Sequence, residues 1–326
     1  MTAVAEPPVR TPRVISDEPE RVDAWFNRVT LWAGISVLVL LLLVGLFLLL
    51  RSREAISETG IWTFLTRTEW RTDVKPARIG AAGLLAGTIM VGVLAVLIAV
   101  PFGVMAALFI TEYSSLRSRK YLTGLVDLMA AIPSLLFGVW GFLYLSDQIA
   151  PLSEWLTEHL GFIPFFATDE GARFTGTVFI AGIVVSLMTL PIVTSVVREV
   201  FAQAPPGEKE AALALGSTRW GMIRSVVLPY GRGGIIGGAM LGLGRALGET
   251  IAVALLLPQV PEISIRILQN GGATVSGFIA RRAGSDDFTT SGLMAAGLVL
   301  FLMTLATNMI ASVVVSRSRS GAGVDL

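Results

Sequence analysis

The segment Glu210-Ala211-Ala212-Leu213-Ala214-Leu215-Gly216 is followed, after nine residues, by Val226-Val227-Leu228-Pro229 and lies between the fourth and fifth long apolar stretches of the chain. Before it, Pro205-Pro206-Gly207 ends one element and predicts the start of a short helix, because the first amides of a helix lack intrahelical acceptors. One face of that helix is shallow enough to enter a groove. It carries residues at i, i+3, i+4 and i+7, which are Glu208, Ala211, Ala212 and Leu215.

A second short helix is expected directly after the first. Gly216 provides a stop for the first helix, and Ser217 can cap the second. The apolar residues that align on the second helix are Trp220, Ile223 and Val227. Pro229 then marks the beginning of the next membrane span. The loop 198–232 is therefore predicted to form a helix-turn-helix elbow, called the elbow below.

The elbow resembles the EAA loop of ABC-importer permeases, whose pattern is Glu-Ala-Ala, three residues, Gly, nine residues, an aliphatic residue, one residue and Leu-Pro. Every fixed position matches, apart from valine in place of isoleucine at 226. The resemblance implies that the elbow lies in a cleft of a cytoplasmic ATPase subunit and transmits the closure of that subunit to the membrane helices. The positions that it assigns to this coupling are Glu210, Ala211, Ala212, Leu215, Gly216, Leu228 and Pro229. An ordinary amphipathic loop helix is the alternative interpretation.

The composition places the chain in a lipid bilayer, because 53% of its residues are hydrophobic and only 15% are charged. Six stretches are long enough to cross about 30 Å of hydrocarbon. They are 31–50, 79–110, 124–146, 174–197, 233–257 and 291–315. We therefore expect an all-α integral membrane protein with six transmembrane helices and both termini on one side. Together with the elbow, this implies a type I ABC-importer permease fold with cytoplasmic coupling helices.

The chain divides into four predicted segments. Residues 1–30 are expected to be a disordered cytoplasmic tail, because proline and scattered charge replace any periodic apolar pattern there. Residues 31–74 hold a retained first anchor, too long for a signal-peptide apolar region, and an outer loop. Residues 75–316 form the permease transmembrane domain. Residues 317–326 are a cytoplasmic C-terminal tail.

Several kinds of chemistry are excluded by residues that the sequence lacks. With no cysteine and one histidine, the chain has no means of building a thiolate site or a multi-histidine metal or haem site, so no metal site is predicted. None of the three lysines follows glycine and precedes serine or threonine, so there is no Walker-type phosphate loop. We therefore expect no cofactor on this chain, no catalytic residues, and ATP and Mg used by a partner ATPase. No basic cluster with interleaved aromatic residues indicates nucleic acid.

The orientation follows from the elbow, whose side must be cytoplasmic for ATP-driven docking. Lysine and arginine are only slightly more frequent on that side than on the other. The residues that oppose the positive-inside rule lie in the loop 51–78 and are Arg51, Arg53, Arg67, Arg71, Lys75 and Arg78. Part of this loop can alternatively form an interfacial amphipathic element that uses Trp62, Phe64, Leu65 and Trp70.

Two charged residues lie within the fifth span. Counted from Gly233, Arg245 lies about 18 Å and Glu249 about 24 Å along a continuous helix, and the i, i+4 spacing would put both on one face. An ionised group at such a depth costs at least about 2.5–3.5 kcal/mol and is functional by default. Glycines four apart in the same span predict close packing against another helix.

Arg245 is the candidate contact for an anion, because the guanidinium fork suits a tetrahedral oxyanion. Glu249 is compatible with an anion that still carries a proton, since a carboxylate accepts a hydrogen bond from hydrogen phosphate but not from sulfate. The alternative is a self-neutralising pair that only assists insertion of the helix.

The string Gly244-Arg245-Ala246-Leu247-Gly248-Glu249-Thr250 resembles the fifth-span signature of the phosphate-specific (Pst) ABC importer permeases. Its continuation Ile251-Ala252-Val253 resembles the C-type permease more than its A-type partner. The segment Ala130 to Gly141 is similar to the Ile-Pro-Ser segment of that family. These resemblances cover roughly 75–316. The candidate substrate-pathway residues are Arg245, Glu249, Thr250, Ser134 and Asp127. Ser134, beside Pro133, is expected on a kinked helix that lines a cavity or is merely packed, and Asp127 is close enough to the membrane surface to reach the headgroups.

The resulting hypothesis is one permease half of a phosphate importer in a bacterial inner membrane. Its implied partners are a homologous second permease, two ATPase subunits and an external phosphate-binding protein. The predicted outer loops 147–173 and 258–290 carry acidic residues that form either a surface for the delivery protein or solvated charge. These residues are Asp147, Glu154, Glu158, Asp169, Glu170, Glu262, Asp286 and Asp287. Alternatives for the function are an importer of sulfate or molybdate and a secondary transporter that works without a motor.

Overall fold

The structure, a computed structural model, describes residues 21–72, 74, 77–284 and 286–318. These residues fall into two compact units, of which the first ends at Phe47 and the second begins at Leu48. The first unit holds most of helix α1 (Arg21–Arg51). The predicted tail lies outside the described residues as far as residue 20, but residues 21–30 are helical, which corrects that prediction. Helix formation can start there because Pro19 is the last proline before the helix.

The second unit continues with short elements and then the long helices. Its elements are α2 (Arg53–Thr59), α3 (Ile61–Thr66), β1 (Trp70–Arg71), β2 (Arg78–Ile79), α4 (Ala82–Leu108), α5 (Leu116–Ala131), α6 (Ser134–Trp140), α7 (Ser146–Leu160), α8 (Val178–Ala202), α9 (Pro206–Ala214), α10 (Arg219–Met222), α11 (Leu228–Leu247), α12 (Ile251–Leu256), α13 (Val275–Arg282) and α14 (Asp287–Ser318). The strands β1 and β2 pair antiparallel, with Trp70 opposite Ile79. Single π-helical turns at Phe109–Tyr113, Gly141–Leu145 and Ile223–Val227 follow α4, α6 and α10.

Six helical segments within the described residues are long and apolar enough to cross a membrane, which confirms the predicted all-α architecture. They are Val22–Arg51, Ala82–Tyr113, Ser134–Leu160, Val178–Ala202, Arg219–Leu247 and Asp287–Val314. The last helix, α14, continues to Ser318, and the rest of the predicted C-terminal tail lies outside the described residues. Pro101 and Pro191 lie inside helices that continue past them.

Two predicted spans differ from the observed helices. The stretch 124–146 is interrupted at Ile132 and Pro133, because a residue before proline is driven out of the helical region, and Ile132 is extended with ψ 128°. The stretch 233–257 is interrupted after Leu247, where Gly248 ends α11, and a new helix begins at Ile251. The fifth span also begins earlier than predicted, since the helical segment runs continuously from Arg219.

The helix of the fourth span, α8, lies at the centre of the core. It packs against α4 and α11, and its buried residues from Val178 to Met188 form one apolar cluster with residues of α4 and α12. A second cluster lies at the end of the unit that carries the elbow, called the elbow end, and joins Phe201 to Ile223. The opposite end is called the far end.

Glycines in α11 permit its close contact with α8, as the spacing predicts. A Cβ atom on Gly234 would lie 2.6 Å from a methyl carbon of Val200, and one on Gly242 would lie 2.6 Å from a methyl carbon of Thr189. Real Cβ atoms do not approach so closely, so larger residues here would push the two helices apart.

The described part of the loop 51–78 is a packed cap at the far end. Phe64 and Trp70 are buried, and Trp70 makes an edge-to-face contact with Phe278 of α13, with ring centroids 4.9 Å apart. Trp62, which is exposed, is the only one of the four predicted interfacial residues more than half exposed. The arginines of this loop therefore belong to a folded cap, which the positive-inside rule does not anticipate, and Lys75 lies outside the described residues.

Candidate substrate pathway and coupling site

The break in the fifth span contains the candidate carboxylate. Glu249 lies between α11 and α12 and is 7% exposed. Its Oε1 atom accepts a 3.4 Å hydrogen bond from the amide of Ala252, and its backbone carbonyl accepts one from the Ser276 hydroxyl of α13. The Oε1 atom therefore holds the carboxylate at the start of α12. The other carboxylate oxygen, Oε2, has no hydrogen-bond partner within the described residues.

Arg245 and Glu249 do not share a helix face, which corrects the prediction from their spacing. Arg245 is exposed in the last turn of α11, whereas Glu249 is buried beyond the end of that helix at Gly248. Within the described part of the chain, no ion pair joins them. The alternative of a self-neutralising pair thus has no support in the geometry, and the guanidinium of Arg245 can contact an anion.

The two interrupted spans pack side by side through α6 and α12. A Cβ atom on Gly138 of α6 would lie 2.8 Å from the Cα atom of Ala252, and one on Gly141 would lie 3.2 Å from Leu256. Because both contacts follow the same order, α6 with the π-helical turn after it runs parallel to α12, and Ser134 lies about one helical turn before the level of Ile251, where α12 begins. Ser134 therefore lies close to the level of the Arg245–Glu249 break.

The remaining candidate pathway residues, Thr250 and Asp127, make no hydrogen bond to Glu249. The Thr250 hydroxyl donates locally to the carbonyl of Gly248 over 3.1 Å. Asp127 is exposed on α5, before the break at Pro133. Thr250 lies within the break after Gly248, whereas no contact in the described residues brings Asp127 to Glu249.

Two residues that hold the break, Ser276 and Gln259, were missed by sequence reasoning. Gln259 is 7% exposed, has φ +60°, donates to the carbonyl of Val253 over 2.9 Å and accepts from the amide of Thr274 over 3.2 Å. It ties the end of α12 to the start of α13. The length of the predicted loop 258–290 was the available signal, since so long a segment without secondary structure is uncommon in a compact domain.

A buried hydroxyl connects α13 to the second span and gives a stability prediction. Thr88 is 1% exposed, and its Oγ1 atom accepts a 3.0 Å hydrogen bond from the amide of Val275. Thr88→Val should lower the free energy of unfolding by about 1–3 kcal/mol, because the buried amide loses its acceptor. Thermal unfolding in detergent measures this, with the exposed Thr66→Val as the matched control; equal stability of the two variants would refute the assignment.

The elbow forms as predicted, with corrections in detail. Pro206 starts α9, and Gly216 follows it with φ +85°, a conformation that favours glycine. The cap of the following helix is Thr218, which accepts a hydrogen bond from the amide of Gly221, and not Ser217. That helix continues into the fifth span, so Pro229 lies inside a helical segment and does not mark its start.

The exposed face of α9 includes fewer of the predicted coupling residues than the sequence suggested. Ala212 is half-buried against the apolar cluster at the elbow end, whereas Glu210, Ala211 and Leu215 are exposed, Leu215 by 89%. Ile223 and Val227 are buried in that cluster, and Trp220 is exposed. The last two residues of the motif also differ from each other in exposure: Leu228 is partly buried, and Pro229 is exposed.

The far end has a cavity of about 620 Å³ between the segments around Asp169 and 260–272. Asp169 forms an ion pair with Arg266. The hydrogen bond from Arg266, and then the one from Gln269, hold the pKa of Asp169 below its usual value, because both stabilise the charged carboxylate. Asp286 is engaged as a helix cap, with both the hydroxyl and the amide of Thr289 donating to it. Part of the predicted acidic surface therefore has a structural use.

The described residues hold no group of three or more histidine and acidic side chains that could bind a metal ion. The geometry is that of a helical membrane subunit with an exposed elbow at one end and a charged break inside its fifth span. Its polar residues at the break are suited to contact an anion, and they are not arranged as nucleophile and base.

Comparison with known proteins identifies the class. Residues 99–320 match the family described as binding-protein-dependent transport system inner membrane component, and the chain belongs to this family. It is a multi-pass membrane protein and a transport permease subunit, not an enzyme. Membership implies an ATPase and a substrate-binding protein as partners.

The similar curated proteins are more specific. The chain is 38% identical over 293 residues to the phosphate transport system permease protein PstC 2 of Mycobacterium tuberculosis, covering 89% of this chain and 90% of the relative. It is 36% identical over 303 residues to the phosphate transport system permease protein PstC of Xylella fastidiosa, covering 91% of each. The predicted resemblance to C-type phosphate permeases is thus confirmed.

A solved structure supports the fold. A chain of a bacterial ABC transporter involved in the import of the acidic polysaccharide alginate matches with a TM-score of 0.57 and 18% identity, covering 91% of this chain and 99% of that chain. The fold is that of type I ABC-importer permeases, as the elbow implied.

Proposed function

We propose that this chain is one transmembrane subunit of an ATP-driven importer of inorganic phosphate. The observation that carries the proposal is the break in the fifth span, which has the exposed Arg245 in the last helical turn before it and the buried carboxylate of Glu249 within it. Such a break lines a pathway with polar groups only where the irregular backbone is enclosed by protein or faces a cavity. The names of the relatives at 36–38% identity support phosphate as the substrate.

In the proposed mechanism the phosphate ion passes between this chain and a homologous second permease. Arg245 attracts the ion, and Glu249 accepts a hydrogen bond from its remaining OH group. The elbow docks on an ATPase subunit, which uses ATP and Mg, and movement of the elbow changes the side to which the break is open. This chain binds no cofactor of its own in that scheme.

The same proposal sets the orientation and the partners. The elbow end, and with it both termini, faces the cytoplasm of a bacterial cell, and residues 75–316 act as the permease domain. The far end, with its cavity between Asp169 and 260–272, faces the phosphate-binding protein that delivers the ion.

The test of substrate choice uses Glu249. In proteoliposomes that hold the complete complex, Glu249→Gln should reduce the preference for phosphate over sulfate by about tenfold, since a charged hydrogen bond contributes about 1.5–3 kcal/mol. Competition between labelled phosphate and unlabelled sulfate measures the preference. Glu54→Gln, which makes the same substitution at an exposed carboxylate of α2, is the control. A wild-type complex that transports sulfate or molybdate equally well would favour the other oxyanions as substrates.

A secondary transporter remains the second candidate function, and the elbow argues against it. Leu215 is 89% exposed at the end of the short helix α9. Docking on an ATPase subunit would cover this apolar side chain, whereas a secondary transporter offers it no partner. Uptake that continues without ATP inside the liposomes would favour the secondary transporter.

A further inference from the structure

The first helix of the elbow, α9, touches the rest of the bundle at few points. Apart from Pro205 at its start, the only residues from 205 to 216 that are not exposed are Lys209 and Ala212. Ala212 contributes one methyl group to the apolar cluster at the elbow end. Lys209 is therefore the main polar contact between the described elbow helix and the bundle.

Lys209 forms a partly buried ion pair with the end of the second span. Its Nζ atom donates to Oε1 of Glu112 over 2.7 Å, and the two side chains are 19% and 8% exposed. Glu112 belongs to the π-helical turn Phe109–Tyr113, which continues α4. By contrast, the ion pair of Arg78 with Glu69 spans 3.8 Å, and both of its side chains are more than half exposed.

The turn Phe109–Tyr113 receives cations from three separate elements. Besides Lys209 from α9, Arg119 of α5 donates to the carbonyls of Ile110 and Thr111. The guanidinium of Arg219, in α10, lies 5.3 Å from the ring centroid of Tyr113. Both helices of the elbow are thus attached, through charged groups, to the same five residues at the end of the second span.

The second span leads from this turn to the break in the fifth span. A Cβ atom on Gly92 of α4 would lie 2.8 Å from Leu247, the last residue of α11 before Gly248. A shift of α4 would therefore press directly on the segment that carries Arg245 and Glu249. This gives a continuous physical route from the elbow to the candidate substrate site.

A buried ion pair is weak evidence for stability, because the cost of desolvating two charges offsets their attraction. Its better-supported use is to fix the register of two elements, since a charged hydrogen bond is directional and a methyl contact is not. The Ala212 contact alone would let α9 slide over the bundle, whereas the pair resists that movement.

We propose that Lys209 and Glu112 are positioning residues that bind the elbow to the end of the second span, so that displacement of the elbow moves this span with it. The inference rests on the proposed function, because an ATPase must supply the displacement. Neither residue touches the ion, and both act through α4.

The test compares charge reversal with charge exchange in the complete reconstituted complex. Lys209→Glu and Glu112→Lys should each lower phosphate uptake per ATP hydrolysed by about tenfold, within the usual range of coupling between sites. The double exchange should restore the ratio to within about twofold, since the two positions interact directly. Reversal of the exposed pair, with Arg78→Glu and Glu69→Arg, is the matched control and should leave the ratio unchanged.

The ratio of uptake to hydrolysis separates positioning from a merely structural role, which would lower the amount of complex at a constant ratio. Where a reversal variant fails to assemble, the neutral variants Lys209→Gln and Glu112→Gln replace it, and they should lower phosphate uptake per ATP hydrolysed in the same way. A constant ratio in all assembled variants would overturn the inference. Failure of the proposed function would show differently, as a wild-type chain that neither captures the ATPase nor takes up phosphate.

A cross-link provides a second, independent measurement. The chain has no cysteine, so Glu112→Cys with Lys209→Cys creates the only two thiols in it. Before cross-linking, this variant lacks the ion pair and should show the lowered ratio of uptake to hydrolysis. A short bismaleimide that joins the two thiols should raise the ratio again, because the link makes the two positions move together. Loss of uptake on cross-linking would mean that they must separate during transport, and would also overturn the inference.

Discussion

Replacement of Arg245 by glutamine is expected to reduce ATP-dependent phosphate uptake by at least about 100-fold, which corresponds to roughly 3 kcal/mol of lost stabilisation. The guanidinium is the exposed cation beside the break in the fifth span, and glutamine keeps much of its length while removing its charge and fork. Arg245→Lys should retain part of the activity, because a point charge still attracts the anion but lacks bidentate geometry.

Uptake by purified complexes in proteoliposomes measures this effect, together with capture of the ATPase, which should be unchanged. The control is Arg232→Gln, an exposed arginine near the start of the same helix, α11. Equal uptake by the Arg245 and Arg232 variants would remove Arg245 from the pathway. Loss of ATPase capture by the Arg245 variant would indicate an assembly defect and not a role in anion contact.

The second large effect concerns the elbow. Leu215→Glu should weaken binding of the ATPase by at least about 100-fold and abolish uptake, because it places a charge where an apolar side chain enters the partner. Binding of the purified ATPase to the permease complex in detergent measures the affinity. The fold should be unaffected, since Leu215 is 89% exposed.

A matched control for the elbow is available on the same end of the molecule. Leu116→Glu makes the same substitution at a residue that is 86% exposed at the start of α5. It should leave ATPase binding within about twofold of the wild type, as expected for a surface position outside an interface. Comparable losses in both variants would show that the elbow end responds to added charge in general, and that Leu215 has no special place in the interface.

The sequence allowed the membrane architecture to be predicted because hydrophobic length and proline or glycine signals are local. Six spans and the elbow with its stop at Gly216 followed from such signals, and the structure bears them out. The glycines of α11 were likewise correctly expected at a close helix contact.

The break at Gly248 was not predicted, because an i, i+4 argument assumes a continuous helix. In the structure this segment is fixed by distant groups, namely the Ser276 hydroxyl of α13 and the packing of α6 along α12. Similarly, the inward face of α9 depends on the ion pair between Lys209 and Glu112, which are far apart in sequence. Tertiary contacts of this kind leave no periodic signal.

The central claim is that phosphate crosses at the Arg245–Glu249 break under the control of an ATPase at the elbow. The most direct test is uptake of labelled phosphate into proteoliposomes that contain this chain, its partner permease and the ATPase, with the phosphate-binding protein outside. The account predicts uptake that requires ATP at the elbow side, resists excess sulfate and is lost in Arg245→Gln while the ATPase stays bound. Phosphate uptake that is unchanged in Arg245→Gln, or that proceeds without ATP, would contradict it.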